Sequence, residues 1–215
     1  MNIDAMPRRK TTPLSVLAVT LALAGCGAPS AQPRQQAQDR GADSGSADLR
    51  GSAIGGPFTL VDKYGKTVHW SDFDGHYRVV YFGYTYCPDV CPTDMQRTVK
   101  GEKIFAKDHP ALANNLRTIF ISVDPERDTP EVVGEFAAAF SPDVIGLTGS
   151  QEQVKAAEDA FKVYASKGAK QPGGGYLVNH SAITYLFDKQ GKPLATLPTD
   201  QGPQAVAAAL AKWVQ

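Results

Sequence analysis

Apolar and polar positions alternate in two different periods along residues 58–215 and divide this part of the chain into short elements. Residues 58–62 and 67–69 alternate on either side of a turn that contains Gly65, which predicts a β-hairpin. Apolar runs predict strands over 78–82, 116–123, 144–147, 181–187 and 193–197. Apolar positions three and four residues apart predict helices over 93–106, 130–140, 152–161 and 203–214.

These elements follow the order β-β-β-α-β-α-β-α-β-β-α. Strands that alternate with helices favour right-handed βαβ units and a parallel sheet, and the last two strands and the last helix close the domain. The order therefore predicts an α/β fold, namely a thioredoxin-like three-layer sandwich with an added N-terminal β-hairpin.

The N-terminus has the pattern of an export signal. A basic stretch at 7–10 precedes an apolar segment at 14–23, which is shorter than the roughly 20 residues that span a bilayer. Leu23-Ala24-Gly25-Cys26 resembles the lipobox of bacterial lipoproteins, whose cysteine carries the lipid and begins the mature chain. We expect a lipoprotein signal peptide over 1–25; the alternative is an uncleaved anchor. The Arg8-Arg9 pair also suggests a twin-arginine signal, which we disfavour because Lys10-Thr11-Thr12-Pro13 stands where that signal usually has an apolar pair. Either route exports the protein, and lipid on Cys26 would anchor it to a membrane with its domain facing the periplasm or cell exterior.

Residues 27–52 are rich in Gly, Ser, Gln and Pro and have few large apolar side chains. Such a segment buries too little apolar surface to offset the entropy of ordering it, which predicts a flexible tether over 26–52. The folded domain is then expected over 53–215. The chain carries 22 basic and 22 acidic residues without a basic block, so nucleic acid is excluded as a partner.

Two of the three cysteines, Cys87 and Cys91, lie where a predicted buried strand ends and a predicted helix begins. The N-terminus of a helix stabilises a thiolate, and disulfides persist in exported proteins. A disulfide that closes so short a loop stabilises little, so redox chemistry or metal binding explains the pair better. The pair can form a disulfide, because i and i+4 positions on a helix are close enough.

Three functions could use a cysteine at this position, namely a dithiol oxidoreductase, a peroxidase and a metal site. Thioredoxin-type oxidoreductases normally have two residues between the cysteines, whereas three lie here, so dithiol chemistry is allowed but not selected. A peroxiredoxin-type site is disfavoured, because Tyr84 and Val80 occupy the positions of its threonine and proline. A copper site needs soft thiolates and usually an imidazole. Structural zinc, which would want a fourth ligand, stays open.

The sequence indicates less clearly which histidine could complete a metal site with the two cysteines. His69, His76 and His109 lie in a hairpin, a connector and a predicted surface loop, where solvated histidines are common. His180 follows a glycine-rich loop over 170–175 and precedes a strand, in the region where thioredoxin folds approach their active-site cysteines. Topology alone leaves it open whether His180 is a ligand or has a capping or core role.

Three motifs carry a resemblance to a known family. GYTYCPDVCPTDM (83–95), SVDPERDTPE (122–131) and VNHS (178–181) resemble the three signatures of the Sco/SenC family, in the family's order and across the domain. The resemblance implies a membrane-tethered thioredoxin-like domain that binds Cu(I) or Cu(II) through Cys87, Cys91 and His180. It also implies a role in assembling the binuclear copper centre of cytochrome c oxidase, by delivering copper or by reducing the acceptor's cysteines.

The primary hypothesis is therefore a copper metallochaperone. Its expected partners are the copper-bearing subunit of cytochrome c oxidase, another periplasmic copper donor and the membrane. The alternatives are a thiol-disulfide reductase that uses Cys87 and Cys91 as a redox-active pair, and a copper or redox sensor.

Three further residues have expected roles near this site. Asn179 stands where the family commonly has an aspartate, a carboxylate that could orient or charge-balance the imidazole. Asp124 ends a strand beside the presumed site, and its role is left open between supporting that site and docking a partner. For Asp128 we favour capping of the helix that begins at Pro130, a role that Thr129 could also take.

Overall fold

The computed structural model describes residues 45–215. The predicted signal peptide, Cys26 and most of the predicted tether lie outside this range. Among the residues it describes, no helix combines the length and the apolar character needed to cross a membrane.

Residues 45–215 form nine strands, five α-helices and two short 3₁₀ segments. The strands are β1 Thr59–Val61, β2 Thr67–His69, β3 Tyr77–Gly83, β4 Leu116–Ser122, β5 Ile145–Leu147, β6 Ala165–Lys170, β7 Tyr176–His180, β8 Thr184–Phe187 and β9 Pro193–Leu197. The helices are α1 Val90–Asp108, α2 Pro110–Ala113, α3 Pro130–Ala138, α4 Gln151–Phe161 and α5 Pro203–Trp213, with 3₁₀ segments at Trp70–Phe73 and Thr199–Gln201.

A five-stranded sheet with the order β5-β4-β3-β8-β9 forms the centre of the fold. Strands β3, β4 and β5 are parallel, whereas β8 and β9 run antiparallel to their neighbours. All seven residues of β3 are buried, as expected for a central strand that is covered on both faces. The predicted thioredoxin-like α/β fold is confirmed.

The two faces of β3 pack against different elements because successive side chains of a strand point in opposite directions. On one face, Val79 lies in a cluster with Phe105 of α1 and Leu210 of α5. On the other face, the rings of Phe82 and Phe161 of α4 lie 5.2 Å apart. The sheet is therefore the middle layer of three.

The predicted β1–β2 hairpin forms and joins the sheet at the β5 side. Val61 donates its backbone N–H to the carbonyl of Thr148, just after β5, at 2.7 Å. Phe58 packs its ring 5.4 Å from Trp70 and 6.2 Å from Phe161. This added hairpin is therefore fastened by one backbone bridge and one aromatic cluster.

The strand ends that matter for function meet at one edge of the sheet. Gly83 at the end of β3 pairs with Ser122 at the end of β4, so the loops that follow both strands leave side by side. Tyr81 pairs with Thr184, the first residue of the antiparallel strand β8, at the same edge. Three distant parts of the sequence therefore converge there.

The β6–β7 hairpin is absent from the predicted elements, which have a glycine-rich loop over 170–175 and no strand over 165–170. The sequence ASKGAK of β6 has no apolar alternation and includes a glycine, so it lacks the pattern of a half-buried strand. The pairing with β7 shifts register between Lys167 and Lys170. The strand predicted over 181–187 begins at Thr184, because the turn that leaves β7 takes up the preceding residues.

Helix α1 begins at Val90, before the predicted start at residue 93. Pro92 does not prevent this, since the first turn of a helix needs no backbone N–H from that position. The earlier start matters because it places Cys91 within the first turn of α1.

Residues 46–49 pack along β9, within the predicted tether. Leu49 donates its backbone N–H to Leu194 at 2.9 Å, and Thr196 donates to Ala47 at 3.0 Å. The Trp213 indole donates to the Ser46 hydroxyl at 3.0 Å. These contacts use mainly backbone groups, which a composition pattern does not report. The packed part of the chain therefore starts before residue 53.

A partly buried acid far from the sheet edge described above gives the first testable prediction. Glu102 lies beside a cavity of about 560 Å³ between α1 and the β4–β5 region, and the Thr118 hydroxyl donates to its carboxyl group at 2.5 Å. Burial raises the pKa of Glu102 from 4.5 to about 7. Between these values the folded protein holds a proton that the unfolded chain releases, so this group's contribution to stability is full below pH 4.5 and is lost as the pH rises to about 7.

We expect the substitution Glu102→Gln, which is neutral at every pH, to reduce the loss of stability between about pH 5 and about pH 8. Urea unfolding at the two pH values measures this difference, and the exposed Glu135→Gln is the matched control. An identical pH dependence in wild type and Glu102→Gln would contradict the prediction.

Candidate metal centre

Cys87, Cys91 and His180 come together at the convergent edge of the sheet. Their ligand atoms all lie within 4.8 Å of one another. The Sγ atom of Cys91 is 3.3 Å from Nε2 of His180, and both cysteines are free thiols. The structure thus brings the three predicted ligands into one group that could hold a metal ion.

The two cysteines differ in position and exposure. Cys87 lies in the loop after β3, whereas Cys91 is the second residue of α1 and is completely buried. The backbone N–H of Cys91 donates to the sulfur of Cys87 at 3.4 Å, and a donor at a helix N-terminus stabilises a thiolate. Burial raises the pKa of the Cys91 thiol well above its ordinary value. The sulfur of Cys87 is therefore more accessible to a partner than the sulfur of Cys91.

Gly83 leaves the space that the sulfur of Cys91 occupies. A Cβ atom at position 83 would lie 3.0 Å from Cys91 Sγ and from the Phe120 ring, and 2.9 Å from the Tyr81 ring. Those distances are too short for ordinary contacts, so any larger residue would push the sulfur or the rings aside. The last residue of β3 is therefore part of the site's packing.

His180 ends β7, and the backbone carbonyl of the next residue, Ser181, orients its imidazole. Its Nδ1 atom lies 3.2 Å from the carbonyl oxygen of Ser181, which can only accept a hydrogen bond. Nδ1 therefore carries the proton, and the lone pair of Nε2 points toward Cys91. Burial lowers the pKa of His180 and favours the neutral imidazole, the form that binds metals. The rings of Tyr81 and Tyr84 contact the imidazole edge-on, with centroids 6.2 and 5.8 Å away.

Tyr81 and Asp94 lie beneath the cysteines, and the sequence pattern does not single them out. The Tyr81 hydroxyl donates to Asp94 at 3.3 Å, and both side chains are buried. Burial raises the pKa of Tyr81 and of Asp94. The one available signal is spacing, since Asp94 follows Cys91 by three residues and so shares its face of α1.

Asp128 has a different role from the predicted helix cap. Thr129 is the N-cap of α3, with its side chain accepting from Val132. Asp128 accepts hydrogen bonds from the Thr85 backbone at 3.0 Å and from the Thr85 and Ser122 hydroxyls at 2.6 Å each. The capping prediction for Asp128 is therefore wrong, because a tertiary contact with the cysteine loop takes its carboxylate.

The comparison with family models decides the classification. The model described as SCO1/SenC matches residues 46–215, which include both cysteines and His180. The chain belongs to the SCO1/SenC family. A curated relative, Protein SenC of Rhodobacter capsulatus, is 39% identical over 213 residues, covering 96% of this chain and 90% of the relative. The chain spans between half and two thirds of the length of several mitochondrial and rickettsial relatives that it also matches.

Solved Sco structures resemble the chain at the level of the fold. Bradyrhizobium japonicum ScoI with copper bound is 36% identical and has a TM-score of 0.67, covering 75% of this chain and 100% of that chain. BsSco, a member of the Sco family of cytochrome c oxidase assembly proteins with an identified disulfide switch, is 28% identical. Its TM-score is 0.54, over 72% of this chain and 90% of that chain.

The two tentative residues of the family motifs do not contact the sulfurs or the imidazole. Asp124 is buried and accepts from Arg127 at 2.5 Å and from the Tyr176 hydroxyl at 2.7 Å. Asn179 is exposed and precedes His180 on β7, so the two side chains point to opposite faces of the strand. Asp124 thus links the loop after β4 to the hairpin that carries His180, whereas Asn179 lies away from the imidazole in this SCO1/SenC protein.

Proposed function

We propose that this protein is a copper-binding assembly factor that delivers copper to the binuclear copper site of cytochrome c oxidase. The observation that carries the proposal is the convergence of two free thiols and one imidazole nitrogen within 4.8 Å. The copper-bound Sco structure and the family membership support it. Cys87, Cys91 and His180 are the proposed ligands.

The donor set favours copper over the other common metals. Thiolates are soft ligands that suit Cu(I), and an imidazole suits Cu(II) as well. Within residues 45–215, the group has three donor side chains and no fourth, whereas structural zinc is almost always four-coordinate. Because the thiols must lose their protons on binding, copper affinity is expected to fall as the pH is lowered.

The exposure of the ligands supports handover by stepwise ligand exchange. Cys87 and His180 lie nearer the surface than Cys91, which is completely buried. In each step an acceptor thiol releases its proton and forms a bond to copper while one ligand of this protein leaves; a departing cysteine thiolate takes up a proton, whereas His180 leaves as a neutral imidazole. We infer that Cys91 holds the metal longest, since an acceptor reaches it last.

The proposal places the domain outside the cytoplasmic membrane. Lipid on Cys26 would anchor it there, with the signal peptide at 1–25 removed and the tether linking membrane and domain. The partners in this proposal are the copper-bearing subunit of the oxidase and a periplasmic copper donor. If the acceptor lies on the same face of the membrane, tethering raises the concentration of this protein near the acceptor and speeds their encounter.

Substitution of His180 by alanine tests the three-ligand site. We expect Cu(II) affinity to fall by about 100-fold or more, while Cu(I) stays bound by the two thiolates and the unfolding midpoint changes little. The imidazole's one backbone hydrogen bond explains the small effect on folding. Anaerobic titration of the reduced protein, followed by absorbance and electron paramagnetic resonance, measures the affinities, with the exposed His69→Ala as control. An unchanged Cu(II) spectrum in His180→Ala would contradict the site.

A thiol-disulfide reductase is the second candidate, favoured by the arrangement of the two free thiols. The more exposed Cys87 would attack an acceptor disulfide, and Cys91 would then resolve the mixed disulfide. The acceptor gains two electrons and two protons as this protein forms its Cys87–Cys91 disulfide. Two results would together favour this candidate. The wild-type protein would bind no stoichiometric copper in the titration, and a separate assay would show that His180→Ala reduces disulfides at the wild-type rate.

A further inference from the structure

The β6–β7 hairpin that carries His180 contacts the rest of the domain through both apolar and polar side chains. It forms a two-stranded sheet of its own and does not pair with the five-stranded sheet. A cavity of about 130 Å³ separates its inner face from α4, and charged side chains line much of it, among them Glu126, Lys155 and Glu158. Val178 joins the main apolar core and Ala165 and Tyr176 pack against it, and polar contacts over the cavity add to these in setting the position of the hairpin.

Arg127, in the loop after β4, contacts this hairpin through a hydrogen bond and through its guanidinium face. Its Nε atom donates to the Asp124 carboxylate at 2.5 Å, and Nη1 donates to the backbone carbonyl of Tyr176 at 2.9 Å. The guanidinium carbon also lies 3.7 Å from the centre of the Tyr176 ring. Arg127 therefore holds the first residue of β7 through both its backbone and its side chain.

Arg127 also contacts the loop that carries Cys87. The guanidinium carbon lies 4.8 Å from the centre of the Tyr86 ring and 5.7 Å from that of Tyr84. Tyr86 directly precedes Cys87 in the chain. One side chain thus joins the loop that carries Cys87 to the strand that carries His180.

Arginine suits this place better than lysine. Its planar guanidinium donates in several directions at once and stacks on aromatic rings, whereas an ammonium group is a compact charge without a flat face. The Tyr176 hydroxyl reinforces the contact by donating to Asp124 at 2.7 Å, and Lys167 of β6 pairs with Glu126 at 2.6 Å. Arg127 is the member of this network that contacts the cysteine loop and the hairpin together.

We propose that Arg127 is a positioning residue that holds the β6–β7 hairpin, and with it the imidazole of His180, over the cysteine pair. The copper part of this inference rests on the proposed function. When Arg127 releases the hairpin, His180 leaves and the two sulfurs remain, so the ligand set changes from three donors to two. The side chain thereby controls the His180-dependent part of metal binding without touching the metal.

Arg127→Lys tests the proposal in the full-length reduced protein. We expect Cu(II) affinity to fall by about tenfold, as for other residues that orient a metal ligand, with little change in Cu(I) affinity. In the metal-free protein, we expect faster amide hydrogen exchange over 176–180. Arg117→Lys is the control, since its guanidinium donates only to carbonyls of its own segment, those of Asn114 and Leu116.

A double-substitution cycle separates positioning from a general structural role. If Arg127 acts through His180, adding Arg127→Lys to His180→Ala leaves Cu(II) affinity unchanged. The same loss in both backgrounds, or unchanged exchange over 176–180, would overturn the proposal. Tyr176→Phe removes only the hydroxyl contacts and should shift exchange in the same direction; it replaces Arg127→Lys if that variant unfolds. Wild type that binds no copper would overturn the proposed function instead, and hydrogen exchange would still decide the role of Arg127.

Discussion

Replacing Cys91 with serine is expected to lower Cu(I) affinity by about two to three orders of magnitude. Structural four-ligand zinc sites draw about 10–16 kcal/mol from their ligands, so one ligand accounts for roughly 2.5–4 kcal/mol, and 1.4 kcal/mol is tenfold. Serine is a hard donor that stays protonated and does not replace a thiolate. Cys91 is also completely buried, so water has little access to fill the missing position.

The measurement is an anaerobic competition titration of Cu(I) against a chelator of known affinity. Cys87→Ser is expected to cause a loss of similar size, and Cys26→Ser, outside the proposed site, should leave Cu(I) affinity unchanged. Because serine is nearly isosteric with cysteine, the unfolding midpoint of Cys91→Ser should stay within a few degrees of that of wild type. Retention of wild-type Cu(I) affinity by Cys91→Ser would exclude Cys91 as a ligand.

Asp128→Ala is expected to lower the free energy of unfolding by about 3 kcal/mol, since one buried and two partly buried donors lose an acceptor at once. These donors are the backbone N–H and hydroxyl of Thr85 and the hydroxyl of Ser122. Thr85 lies two residues before Cys87, so the cysteine loop is expected to loosen as well. Copper affinity should therefore fall together with stability.

Urea unfolding measures the stability, and hydrogen exchange over 84–91 measures the loop. Asp128→Asn should lose much less, because an amide still accepts one hydrogen bond and its NH₂ group can donate to a hydroxyl. The exposed Asp143→Ala serves as the control for removing a carboxylate. A wild-type unfolding free energy in Asp128→Ala would show that the cysteine loop does not depend on this side chain.

Most of the fold is readable from local patterns. The apolar run at 78–82 and the period of 152–161 correspond to β3 and α4, because burial of one face or of a whole strand leaves a direct trace in the sequence. Strand β6 left no such trace. It lies over a cavity lined largely by polar side chains, and its sequence ASKGAK carries no apolar alternation.

The proposed ligands also differ in how far local sequence patterns predict them. Cys87 and Cys91 are four residues apart, so their proximity follows from local geometry, and the spacing alone indicated a thiol site. His180 is distant in the sequence, and only the family motif selected it in advance, since topology left its role open. The structure placed its Nε2 atom 3.3 Å from the sulfur of Cys91.

The sequence by itself determined the layered α/β arrangement, the thiol pair at the end of β3 and the family signatures. Only the tertiary structure decided what Asp128, Asp124 and Arg127 do, because their partners lie on other segments and a polar side chain does not encode its partner. Secondary structure follows from the pattern of neighbouring residues. The contacts that hold His180 over the cysteines arise only when the strand ends meet at one edge of the sheet.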